Sequence, residues 1–212
     1  MAFFRNKHHT TDPLWHVQIV LAATIILQLL LPDRLSVLPK YLLPTLEFVC
    51  LLGLQITTPK QAVFTSKVRR FIAITLIIAV AVANISSLEV LLQLIFSAGD
   101  HDAVPLLLSG GSVYITNIVI FSLLYWEMDS GGPGQRRGEV NYQDFLFPQQ
   151  TMKKKWHPAF TDYLYVSVTN ATAFSPTDTM PLSRRAKMVM AIQAFISLVV
   201  IALVAARAVN IL

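Results

Sequence analysis

The residues best placed to act on a ligand lie close together near the end of the chain. Thr172, Ser175, Thr177 and Asp178 alternate with Ala173, Phe174 and Pro176. Hydroxyl and carboxylate oxygens suit hard cations, and without an activating base they offer little nucleophilic chemistry. Three further candidates, Glu47, Glu89 and Arg207, interrupt apolar runs. An ionisable side chain at membrane depth marks a functional site by default. Helix rise counted from each flank puts all three toward one membrane face. The sharper expectation is an intramembrane charge cluster pairing Arg207 with Glu89 or Glu47; the plainer one is three side chains reaching for water from helix ends. His8, His9, His16, His101 and His157 share no metal-ligand spacing. No Ser-His-Asp order, His-Glu-x-x-His, phosphate loop or dinucleotide motif is present. The expectation is therefore no metal, no cofactor and no enzyme.

The elements that position these residues belong to a lipid environment. The chain has 212 residues, 54% hydrophobic and only 14% charged, with a mean hydropathy of +0.57. Soluble domains run at about 25% charged, so the composition excludes a disordered chain and a nucleic-acid reader with a basic face. The net charge of +5 fits Lys and Arg gathered beside membrane spans and contacts with anionic lipid head groups. The single Cys50 gives no internal disulfide.

A span needs roughly 20 apolar residues, and the reading is an all-α integral membrane protein of about five transmembrane helices. Residues 1–13 form a polar cytoplasmic N-terminus with no visible cleavable signal, and 14–126 a four-span bundle. Residues 127–161 form a basic loop, and 162–212 a short helix, an irregular segment and the final span. The spans run Leu14 to Leu31, Tyr41 to Thr57, from after Lys67-Val68-Arg69-Arg70 to Phe96, Val104 to Trp126, and Ala186 to Leu212. Ser109-Gly110-Gly111-Ser112 marks a kink or a close-packing point. Tyr125-Trp126 reads as an interfacial aromatic belt, and Phe145-Leu146-Phe147-Pro148 as a stretch lying flat at the interface. Asn84, Gln93, Asn117, Gln193 and Asn210 read as interhelical hydrogen-bonding groups. The Lys153–Lys155 run and Arg184-Arg185-Lys187 read as solvated, lipid-facing cations. With an inside N-terminus, 14 of the 17 Lys and Arg fall inside. The protein is then an inner-membrane protein with the loop between the last two spans in the cytoplasm.

The stretch Asp162-Tyr163-Leu164-Tyr165-Val166-Ser167-Val168-Thr169-Asn170-Ala171-Thr172 is too short to cross a bilayer. It leads through Ala173-Phe174-Ser175-Pro176-Thr177-Asp178 and Pro181 into the last span. A short helix, then extended backbone, then a full span is the pattern of a re-entrant loop, tolerated in a bilayer only when buried in protein or lining a wet cavity. Asp162 is expected at its N-cap region.

Over Asp162 to Ala206 the sequence resembles the pore-loop cation-channel superfamily, specifically the pore helix, filter and inner helix of potassium channels. Asp162, Leu164, Tyr165, Ser167 and Thr172 stand where those channels carry D-x-L-Y-x-S…T. Asp178 stands at the acid after the filter, Pro181 at a proline often found there, and Arg185 at the start of the inner helix. The whole chain also resembles an uncharacterised bacterial family of five-span proteins. The first resemblance implies an oligomeric pore, a tetramer if it is a channel. The five places of T-V-G-Y-G hold Ala173, Phe174, Ser175, Pro176 and Thr177, so both glycines are replaced and a carbonyl cage for potassium is not expected. What remains is a ring of Thr172, Ser175 and Thr177 hydroxyls with Asp178, passing cations with little selectivity. The other reading is a non-conducting structural or interaction protein that keeps only the fold. The basic loop also puts the filter-like segment on the cytoplasmic side, opposite to potassium channels.

Overall fold

The computed structural model describes residues 15–29, 41, 44–49, 52, 67–96, 103–133, 143–152, 156–175 and 178–209. Its helices are α1 (Trp15–Leu29), α2 (Lys67–Phe96), α3 (Ala103–Met128), α4 (Phe160–Ala173) and α5 (Arg184–Val209). Residues 44–49 are also helical. Two short strands, β1 (Phe145–Leu146) and β2 (Met180–Pro181), pair antiparallel with Phe145 opposite Pro181.

The interiors of α2 and α5 contain no glycine or proline, and their residues are apolar around most of the circumference. Such helices stay hydrogen-bonded internally and satisfy every backbone group within the segment, which is what hydrocarbon demands. Among the described residues, three helices are long and apolar enough to cross a membrane, over 73–93, 104–131 and 184–206. This makes a helical membrane protein. α1 is described over the 15 residues Trp15–Leu29. The second expected span lies mostly outside the described residues.

α3 is the hub. It packs against α5, α2, α4 and α1, and its Gly110 sits where a Cβ would come within 2.4 Å of Val204 Cγ2 on α5. The Ser-Gly-Gly-Ser stretch is thus a close-packing point, inside a helix that continues through it. Exposed Phe71, Ile78, Val82 and Ile85 on α2, and Met188, Ile192, Phe195 and Leu198 on α5, give the bundle an apolar exterior.

Two aromatic expectations need correcting. Tyr125 and Trp126 are fully buried and form no interfacial belt, because the chain after α3 folds back over them. Phe145 meets Tyr125 edge-on with centroids 5.2 Å apart, and Phe160 meets Trp126 at 5.9 Å. Likewise Phe145 and Phe147 belong to the core instead of lying flat on a surface. Phe147 packs edge-on against Tyr163 at 5.2 Å and at a tilt against Trp156 at 5.6 Å. An aromatic stretch that can bury its rings against two helices gains more than one lying at an interface.

Candidate functional site

α4 is held by its polar side chains. At its start the Ala159 N–H donates to Asp162 Oδ2 at 2.7 Å, and the Asp162 N–H donates to the Ala159 carbonyl at 3.0 Å. Asp162 therefore serves its helix N-terminus, as expected. One turn on, the Tyr163 hydroxyl donates to Asp129 Oδ2 at 2.6 Å. Asp129 opens the turn that follows α3, and its other oxygen accepts the Asp144 N–H at 2.8 Å and the Phe145 N–H at 3.3 Å. This one buried carboxylate ties the end of α3, the start of α4 and β1 together.

The turn that aims Asp129 is made by positive-φ residues, Ser130 (φ 52), Gly131 (φ 83) and Gly132 (φ 91). At Gly132 a Cβ would stand 3.2 Å from both the backbone carbonyl and Oε2 of the buried Glu127. Glycine is required there for its conformation and for space.

Deeper along α4, Ser167 Oγ donates to the Ile118 carbonyl of α3 at 2.6 Å. Gln193 of α5 reaches across with Nε2 to Ser167 Oγ at 2.7 Å and to the Ser167 carbonyl at 3.0 Å. Asn170 Nδ2 donates to Gln193 Oε1 and to the Met190 carbonyl, each at 2.9 Å. The Tyr125 hydroxyl also donates to Gln193 Oε1. Four buried polar residues from three helices thus satisfy one another, the condition for keeping polar groups inside an apolar bundle. Asn117 to Ser197 Oγ at 3.0 Å and Asn84 to the Val113 carbonyl at 3.2 Å are two more interhelical bonds. Asn84, Asn117 and Gln193 thus do what their positions predicted. Gln93 is exposed, and Asn210 lies outside the described residues.

The filter-like segment follows. Thr172, Ala173, Phe174 and Ser175 are exposed, as is Asp178. The Thr172 hydroxyl donates to the Val168 carbonyl at 2.9 Å, so its lone pairs are what it offers outward. Phe174 caps α4 in the left-handed conformation (φ 52, ψ 29), a place usually taken by glycine. Pro176 and Thr177 lie outside the described residues. Beyond them, Thr179 Oγ1 lies 3.3 Å from Asp178 Oδ1, and β2 returns the chain to β1.

At the start of α5, Ser183 Oγ accepts the Ala186 N–H at 3.1 Å and donates to Asp144. Arg185 grips the same carboxylate with Nε and Nη2 at 2.7 and 2.6 Å. The end of α3, the start of α4, both strands and the start of α5 therefore meet at one end of the bundle. Arg70, near the start of α2, joins them there with Nη2 donating to the Met128 carbonyl at 3.0 Å.

Of the three candidate charges, the structure describes the side chains of Glu47 and Glu89, and their surroundings differ. Glu47 is only 1% exposed, and its Oε2 takes the Thr24 hydroxyl of α1 at 2.9 Å. Glu89 is exposed on the outer side of α2. Arg207 belongs to α5, and its side chain lies outside the described residues, so its pairing with either glutamate does too. Among the described residues no group of His, Cys, Asp and Glu has an arrangement that could hold a metal ion.

The sequence pointed to Gln193 as an interhelical hydrogen-bonding group but not to Asp129, Asp144, or Asn170 and Tyr125 as its partners. The available signal was a pair of acids in a loop bounded by glycines on one side and an aromatic stretch on the other. No family model, curated protein or solved structure matches the chain.

Proposed function

We propose that the protein is a pore-loop-type membrane protein. In this reading α4 is a re-entrant helix, α3 the outer helix and α5 the inner helix, with α1 and the Tyr41–Thr57 stretch completing five spans. Copies assemble, as a tetramer if the protein conducts, so that Thr172, Ser175, Thr177 and Asp178 surround a shared axis. Cations pass along it with little selectivity. The observation that carries this is the contrast within α4. Its Tyr163, Ser167 and Asn170 face is locked by buried hydrogen bonds to α3 and α5, while Thr172 to Ser175 are left exposed on the protomer surface.

The return of the chain to the end where α4 began supports a re-entrant path, and so does length. The 14 residues of α4 rise about 21 Å, short of the ~30 Å hydrocarbon core. Arg70, Arg184, Arg185 and Lys187 gather at that same end, which supports a cytoplasmic loop in an inner membrane.

A second reading, a non-conducting structural or interaction protein, is favoured by Phe174, which puts a large apolar ring in the segment that would line the axis. Cation flux into liposomes separates the two. The pore reading expects flux with wild type, a severalfold loss with Asp178→Asn, and a changed cation preference with Pro176→Gly. No flux from any of the three, in a preparation with its oligomer intact, leaves the non-conducting reading.

A further inference from the structure

α5 turns one continuous face out of the bundle. Arg184, Lys187, Met188, Phe195 and Leu198 are all exposed, and at 100° per residue they lie within about 100° of one another around the helix. The neighbouring Arg185 points about 100° away around the helix and is held on Asp144. Of Arg184, Arg185 and Lys187, one is thus held on a buried carboxylate and two face outward. Those two project from a fixed first turn, because Ser183 takes the Ala186 N–H on its hydroxyl and the Lys187 N–H on its carbonyl, each at 3.1 Å. Below them, from Met188 to Leu198, the face is apolar for about 15 Å of helix rise.

We propose that this face is a binding site for an anionic glycerophospholipid of the adjoining leaflet. Arg184 and Lys187 hold the phosphate, and an acyl chain lies along Met188, Phe195 and Leu198. Two cations above an unbroken apolar stripe match such a lipid at both ends. A zwitterionic lipid matches only the lower part, and a free phosphate only the upper. The proposal rests on membrane residence and is independent of conduction, so a failed flux experiment leaves it standing.

The test is native mass spectrometry of the purified full chain with dioleoylphosphatidylglycerol, dioleoylphosphatidylcholine or glycerol phosphate at equal concentration. Wild type should retain phosphatidylglycerol over phosphatidylcholine at least about fivefold, since each cation near an anionic head group contributes about that factor. Glycerol phosphate should not be retained. Arg184→Gln with Lys187→Gln should abolish the preference while the melting temperature is kept, and Lys187→Gln alone should reduce it. An unchanged preference overturns the proposal. So does a loss accompanied by dissociation of the oligomer, which would make this face a contact between copies, and so does retention of glycerol phosphate equal to that of the lipid.

Discussion

Asp144 and Arg185 lie 41 positions apart, and both guanidinium arms meet the carboxylate, Nε at 2.7 Å and Nη2 at 2.6 Å. The aspartate is fully buried, while the arginine side chain remains 49% exposed. A pair of this kind is worth less than a fully buried one, because water screens the cation. Removing the arginine still leaves the buried Asp144 carboxylate short of its countercharge. Since Asp144 also bonds to Ser183, and its N–H to Asp129, the pair clamps the start of α5 to the turn that ends α3.

Arg185→Gln should therefore lower stability by about 1–3 kcal/mol. Arg185→Lys should fall between it and wild type, because it keeps the charge and loses the two-armed geometry. Thermal unfolding in detergent reads both, and equal melting temperatures for all three proteins would deny the clamp.

Gln193 bonds to α4 and α3 at once. Gln193→Leu removes the partner of Tyr125, Ser167 and Asn170 together, and should cost roughly 2–4 kcal/mol from several bonds of about 1 kcal/mol each. Asn170→Leu should cost less. The double variant should cost less than the sum, because the two side chains share a network. Strict additivity in denaturant unfolding would mean the cluster does not act as a unit.

Gly110 is a packing position. Gly110→Ala puts a methyl against Val204, whose branched side chain has little freedom within a helix, and should destabilise by about 1–2 kcal/mol. Val204→Ala alone opens a small cavity, but combined with Gly110→Ala it should recover most of the lost stability. Absence of that rescue in thermal unfolding would show that α3 and α5 do not approach closely there.

Phe174 holds a left-handed conformation that costs a non-glycine residue about 1–2 kcal/mol. Phe174→Gly should leave stability unchanged or raise it by up to about 1 kcal/mol. If the ring obstructs the axis, the same variant should raise cation flux severalfold in liposomes. A loss of more than about 1 kcal/mol would show that the ring is a packed structural element.

The long helices were legible because their apolar runs outlast any alternative: α2, α3 and α5 begin and end within a few residues of the expected spans. α4 was legible from a short aromatic and hydroxyl run closed by a proline. The roles of Asn84, Asn117 and Gln193 followed from polar residues having to find partners inside an apolar bundle. Asp129 and Asp144 were not legible. A carboxylate in a polar loop looks solvated until the loop is known to fold back, and that fold-back depends on where Phe145 and Phe147 bury their rings. The same fold-back buried Tyr125 and Trp126, whose place at a span end had suggested an interfacial belt. Periodicity reports which side of a helix is apolar, but it does not report that a distant segment will cover it.

The re-entrant path of α4 is tested most directly by cysteine labelling in a Cys50→Ser background. The exposed Thr161 and Leu182 flank the short helix and the segment after it. The account predicts that Thr161→Cys and Leu182→Cys react with a membrane-impermeant maleimide from the same side of sealed vesicles, the side that also labels Met152→Cys. Labelling of Thr161→Cys and Leu182→Cys from opposite sides would mean that the chain crosses between them, and would contradict it.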